Sequence, residues 1–232
     1  LKLRRHIHLE PRVQGLQPAA ASRRFPSYLA PAMTQLPELP LTLSRQEIRK
    51  MIRQRRRALT PEQQQEMGQQ AATRMMTYPP VVMAHTVAVF LSFDGELDTQ
   101  PLIEQLWRAG KRVYLPVLHP FSAGNLLFLN YHPQSELVMN RLKIHEPKLD
   151  VRDVLPLSRL DVLITPLVAF DEYGQRLGMG GGFYDRTLQN WQHYKTQPVG
   201  YAHDCQLVEK LPVEEWDIPL PAVVTPSKVW EW

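Results

Sequence analysis

The chain has 232 residues, 44% of them hydrophobic, which is enough to bury one substantial core, and its apolar runs fall well short of the ~20 residues of a membrane-spanning helix. The net charge of +4 is unevenly placed: residues 1–33 hold six basic side chains and one acidic, a balance of +5, and the remainder stands at −1, without the long-range field that holds a polyanion. One cysteine, Cys205, excludes an internal disulfide and suits a reducing compartment; no Cys–His spacing marks it as a nucleophile.

Residues 1–32 carry Pro11, Pro18, Pro26 and Pro31 among scattered arginines, with no sustained helical or strand period, and are expected to be disordered. The first methionine, Met33, precedes the Pro-rich lead-in TQLPELPLT. Residues 1–40 therefore read as an N-terminal extension or upstream start. The rival, an Arg-rich targeting peptide, conflicts with the prolines, because such peptides work as amphipathic helices. Residues 41–232 are expected to form one α/β domain.

Ser44 with Glu47 three positions on forms a capping box and opens a helix through about Leu59. Thr60 as N-cap, Pro61 at the first helical position and Gln63 at the third start a second, with Met67, Ala71 and Met75 as its buried stripe. The first helix is strongly basic. Arg45 and Arg49 lie four apart and share a face, whereas Arg55, Arg56 and Arg57 read as a solvated surface.

A buried strand spans Thr86–Ser92, by β-branched content and shortness. The turn that follows carries Glu96 and Asp98, which on composition alone read as turn and first-turn acids. A helix then places Leu102, Ile103, Leu106 and Trp107 on one side, with Gly110 as its stop. Strands are expected over Lys111–Val117 and Asn125–Tyr131. Alternation of strand and helix favours a mainly parallel sheet with helices on its faces. Residues 132–158, rich in proline and charge, are expected to form an irregular loop over one end, with His132 and His145 as surface residues lacking metal-ligand spacing.

After an apolar strand over Asp161–Ala169 comes the densest signal in the chain, GQRLGMGGGFYDR from Gly174 to Arg186, with five glycines between positions 174 and 182. Strand, glycine loop and helix (expected around residues 183–194) would line up successive N–H groups as an anion site. Arg176 adds a fork of donors, Tyr184 a hydroxyl and Asp185 a carboxylate. The loop lacks the Lys-Ser/Thr pair of GxxxxGK[ST], and Phe183 stands where GxGxxG needs its third glycine. On these residues alone, a phosphate cradle and a tight packing turn both remain open. A short strand follows at Pro198–Ala202, and Asp217, before Pro219, reads as a turn acid.

The contiguous run Arg176 to Asp185 (RLGMGGGFYD) resembles the signature of 5-formyltetrahydrofolate cyclo-ligases, also called methenyltetrahydrofolate synthetases. Three distant segments agree in order: Arg45-x-x-x-Arg49, where the family commonly has a lysine first; Leu91 through Thr99; and LPVEEWD ending at Asp217. The resemblance covers Ser44 to the C-terminal region. It implies a three-layer α/β/α sandwich with a mainly parallel central sheet, and ATP-dependent cyclisation of 5-formyltetrahydrofolate to 5,10-methenyltetrahydrofolate through a phosphorylated formyl intermediate, with release of ADP and phosphate.

On the same resemblance ATP is held by Arg45, Gln46, Glu47, Ile48, Arg49 and by Arg176, Leu177, Gly178, Met179, Gly180, Gly181, Gly182, Phe183 and Tyr184. The folate is held by Leu91, Glu96 and residues Met179 to Phe183. Tyr184 and Arg176 act catalytically, and Asp185 and Asp217 hold Mg²⁺. Met179 and Gly181 occupy variable positions where some relatives carry a basic residue, which throws more weight onto backbone contacts here. The implied partners are small molecules, with no nucleic acid or membrane, for a cytoplasmic monomer. Two other classes use the same residue types: another ATP-dependent small-molecule phosphotransferase and a non-catalytic phosphate-sensing domain.

Overall fold

The computed structural model describes residues 43–232, so the extension expected over residues 1–40 lies outside the described residues. Helix α1 (Arg45–Arg57) opens on the expected capping box, with Ser44 and Glu47 satisfying each other's backbone N–H. Helix α2 (Pro61–Thr77) repeats the device with Thr60 and Gln63. The short α3 (Pro79–Met83) leads into β1 (Thr86–Ala88), α4 (Gln100–Arg108) and β2 (Arg112–Leu118). Next come β3 (Leu126–Tyr131), β4 (Leu137–Met139), β5 (His145–Pro147), β6 (Val154–Leu155) and β7 (Val162–Thr165). Beyond them lie β8 (Ala169–Asp171), β9 (Arg176–Leu177), α5 (Phe183–Leu188), β10 (Gln197–Tyr201), β11 (Leu207–Val208), β12 (Ala222–Val224) and β13 (Val229–Glu231).

The main sheet has eight strands in the order β13-β12-β10-β7-β1-β2-β3-β6. It is parallel from β12 to β2 and antiparallel at both margins. Alternation along each strand divides the core. Val87, Val113, Val162, Ile164 and Val199 face α2 and α4, while Ala88, Tyr114, Leu163 and Val223 face Phe170 and Leu188 of the opposite layer. This is the expected three-layer α/β/α arrangement.

Two expected elements divide where backbone chemistry changes. The strand read as Asp161–Ala169 stops at Thr165, because Pro166 has no N–H to continue the ladder. The next strand, β8, shares only Ala169 with the expected one and joins β9 and β11 in a separate three-stranded sheet roofed by Ile48 and Ile52 of α1. The strand read as Thr86–Ser92 pairs only to Ala88, and after the Val89 N–H bond to the Tyr114 carbonyl at 2.9 Å the chain leaves the sheet.

Residues 132–158 are more ordered than expected: β4 and β5 form a hairpin and β6 extends the main sheet. The hairpin turn has no glycine. Asn140 Oδ1 accepts from the N–H groups of Leu142 and Ile144 at 2.9 and 3.2 Å, and Lys143 takes the left-handed conformation at φ 58°.

Candidate active site

Residues at or just beyond the carboxyl ends of β1, β2 and β7 (Leu91, Leu118, Pro166) border a cavity of about 640 Å³, where open α/β sheets place their ligand sites. The glycine loop forms one wall. It is reached through the β8–β9 hairpin rather than directly from a long strand, and the helix after it is six residues long instead of the dozen expected. So short a helix contributes little dipole, and the anion-binding capacity rests on the loop itself. Gly180 (φ +102°) and Gly182 (φ +67°) take conformations closed to most side chains, and a Cβ on Gly182 would lie 2.6 Å from the Arg186 guanidinium. Among the described residues, the N–H groups of Gly178 to Gly182 donate to no other protein group. These five backbone donors are thus without a protein partner.

Three arginines from two distant segments surround this cradle. Arg49 donates its Nε–H to the Gly178 carbonyl at 2.7 Å. Arg45 grips Asp217 with both terminal nitrogens and also reaches the Pro212 carbonyl at 3.1 Å. Arg176 is buried and paired with Asp185, and its Nε–H has no partner. Burial alone would raise the Asp217 carboxyl, but the Arg45 fork and the Glu214 N–H outweigh it and hold the group below its ordinary value. Asp185 also accepts from the Ile218 N–H at 3.4 Å, which sets the two carboxylates beside one another.

Much of the remaining lining is apolar: Phe90, Leu91, Leu115 and Pro116, with Leu142 and Ile144 of the β4–β5 hairpin. Glu96, only 8% exposed, lines the cavity with them. Burial pushes its carboxyl up to about 7, against the pull of Arg56 and of the Phe93 N–H. Burial also drives the Tyr184 phenol well above its ordinary value, so it stays a proton donor at neutral pH.

The structure thus gathers Arg45, Arg49, Leu91, Glu96, Arg176 and residues 178–185 around one cavity. It does not bring Ile48 or Leu177 there, since both are buried against the small sheet. Gln46 and Glu47 border a neighbouring groove on α1, where Glu47 is committed to the helix cap. Asp217 is bound by Arg45 and is not among the residues lining the cavity. Arg56, read from sequence as solvated, is fully buried, and Arg57 and Arg53 join it on Asp94.

Other features were not anticipated. Arg186 donates to the carbonyls of Gly124 and Gly181, tying the loop after β2 to the glycine loop. Trp216, largely exposed, borders the cavity mouth, and His145 and Glu146 line it from the hairpin. No local motif marks these residues, because their relevance arises from segments far apart in the chain.

Asp185 and Asp217 are the acids nearest the cradle, each already paired with an arginine. Among the described residues no group of three or more His, Cys, Asp or Glu side chains could hold a metal unaided. The donors fit a hard divalent ion only when phosphate oxygens and water complete its shell, which is how magnesium is usually bound. No described helix is long and apolar enough to cross a membrane.

A mainly parallel α/β sheet whose strand ends open onto a cavity lined by a glycine loop, three arginines and apolar side chains has the architecture of an α/β enzyme. The sequence model of the 5-formyltetrahydrofolate cyclo-ligase family matches residues 42–226. The 5-formyltetrahydrofolate cyclo-ligase of Haemophilus influenzae is 53% identical over 179 residues, covering 77% of this chain and 96% of that protein. Its counterpart from Mycolicibacterium smegmatis is 31% identical over 188 residues, covering 80% and 95%. The NMR structure of Aquifex aeolicus 5,10-methenyltetrahydrofolate synthetase superposes with a TM-score of 0.70 at 28% identity, covering 82% of this chain and 93% of that one. The chain belongs to the 5-formyltetrahydrofolate cyclo-ligase family of enzymes.

Proposed function

We propose that this chain closes 5-formyltetrahydrofolate to 5,10-methenyltetrahydrofolate, using ATP to activate the formyl oxygen and releasing ADP and phosphate. The observation that carries the reading is a single cavity that brings the glycine loop and Arg45, Arg49 and Arg176 together with apolar side chains and the buried carboxyl of Glu96. The names borne by the Haemophilus and Aquifex relatives support it.

A formamide carbon does not give up its oxygen as hydroxide, so the oxygen must first become a leaving group. The formyl oxygen attacks the γ-phosphorus and the bond to ADP breaks. N10 then attacks the activated carbon and loses its proton, and the C–O bond breaks to release phosphate. Phosphoryl transfer depends mostly on position and charge stabilisation. The loop N–H groups with Arg45, Arg49 and Arg176 would cradle the phosphates, and the buried Arg176 would hold charge that develops in transfer. Tyr184, protonated, would donate to the activated formyl oxygen. Asp185 and Asp217 would hold magnesium accompanying the nucleotide, whose chemistry is to neutralise phosphate charge.

At the other end Glu96 would accept from the donor edge of the pterin and Leu91 would pack on its ring. A single thiol suits a reducing, cytoplasmic setting, and small-molecule substrates require no more than a monomer.

Incubation with ATP, Mg²⁺ and 5-formyltetrahydrofolate, followed by methenyl absorbance, tests the reading. Folate-dependent appearance of the chromophore is expected. ATP consumption without folate would favour another phosphotransferase, and nucleotide binding without turnover a sensing domain.

A further inference from the structure

Three arginines of α1 converge on a single carboxylate. Arg53 donates to Asp94 Oδ2 at 2.7 Å, Arg57 holds Oδ1, and Arg56, with no exposed surface, reaches the Asp94 carbonyl at 2.9 Å and Oδ2 at 3.3 Å. Asp94 is one of two non-glycine residues among those described with positive φ, at 53°, and Gly95 follows at 74°. Gln64 of α2 closes the clamp, donating to the Arg56 carbonyl at 3.0 Å and the Gly95 carbonyl at 3.4 Å. This left-handed turn delivers the next residue, Glu96, to the cavity wall.

We propose that Arg56 is a positioning residue for Glu96: its buried guanidinium fixes the Phe93–Glu96 turn through Asp94 and supplies the cation that faces the Glu96 carboxyl from behind the cavity. The inference rests on the reading of Glu96 as the pterin ligand only for its kinetic consequence. The other groups facing Glu96 are Asp94 on its own turn, Tyr184 of α5 and His203, which is fully buried beside Gly95 and Glu96. Burial lowers His203 to about 4, so it is neutral above that pH and Arg56 is the cation that matters. One Arg56 nitrogen, Nη1, has no hydrogen-bond partner among the described residues, so the buried guanidinium carries a desolvation cost.

The test uses the full chain and the Arg56→Met variant, with Glu96→Gln as the reference. Carbon-13 titration of glutamate carboxyls, the Glu96 signal identified by its loss in Glu96→Gln, is expected to show that carboxyl titrating about one pH unit higher in Arg56→Met. In parallel, the KM for 5-formyltetrahydrofolate is expected to rise about tenfold or more while the KM for ATP stays unchanged. An unmoved Glu96 titration overturns the proposal whatever the kinetics do. A moved titration with unchanged folate KM upholds it and instead sinks the placing of the pterin on Glu96. Should Arg56→Met not fold, Arg56→Lys carries the test, since it keeps the cation but loses the fork. A raised folate KM with the titration near its original position is then expected. An unchanged folate KM, where Glu96→Gln does raise it, overturns the proposal.

Discussion

Beside the glycine loop Arg45 and Arg176 each hold a carboxylate, and the loop N–H groups have no partner among the described residues. Glu96 shares the same cavity with Phe90, Leu91 and Leu115, and the buried Arg56 is its attracting cation. Two of the three arginines beside the loop are already paired with carboxylates. Glu96 is instead one carboxyl kept in a largely apolar setting at a desolvation cost. On the proposed reading the first group would receive the phosphate charge and the second would give direction to the pterin.

The largest expected break in this contrast is at Arg176. Arg176→Met should lower turnover about 10²- to 10³-fold and, by leaving Asp185 unpaired, cost about 3–5 kcal/mol of stability. Arg176→Met combined with Asp185→Asn should regain much of the stability and none of the turnover, checked by urea denaturation beside the methenyl assay. Recovery of activity in the double variant would show that the pair is structural.

Glu96→Gln sharpens the other end. Losing a charge-assisted hydrogen bond should lower kcat/KM for the folate about 10- to 100-fold, with the KM for ATP unmoved. Stability should change in the opposite sense. The folded carboxyl, raised to about 7, keeps its proton over the window from its ordinary 4.5 upward while the unfolded chain releases it, so wild-type stability falls as pH rises through that window. Above pH 7 Glu96→Gln should therefore be more stable than the wild type by about 2–3 kcal/mol, an advantage that shrinks toward pH 4.5. Chemical denaturation at pH 5 and pH 8 reads both limbs.

A smaller effect is expected at the loop backbone. Gly182→Ala forces a side chain into a left-handed conformation and against Arg186, and should raise the KM for ATP about tenfold, corresponding to about 1–2 kcal/mol of strain. The folate KM should be spared. Smallest is Leu142→Ser in the half-exposed hairpin tip, expected to raise the folate KM roughly threefold by removing apolar contact. An ATP effect there instead would place the nucleotide at the apolar end and invert the contrast.

Local chemistry made much of this legible. Ser44 with Glu47 and Thr60 with Gln63 mark helix starts because the bonds they make span three residues, and the side-chain period of the parallel strands survives in the sequence for the same reason. The glycine run was visible because positive φ confines the choice of residue at Gly180 and Gly182. Three features were not legible. The helix after the loop ends at Leu188, the segment after Tyr131 folds into a hairpin through an Asn140 turn without glycine, and Pro166 splits one apolar run between two sheets.

Arg56 shows the limit most directly: in the sequence it is one of three consecutive arginines, indistinguishable from its neighbours. Helical phase and the approach of the Asp94 turn, 38 residues away, bury it and leave Arg57 exposed. The sequence by itself determined the caps, the alternating layers and the glycine-rich turn, all set by interactions within a few residues. Only the tertiary structure decided which arginine faces which carboxylate, and which acid is buried deeply enough to titrate near neutrality, because desolvation and ion pairing depend on segments that meet only when the chain is folded.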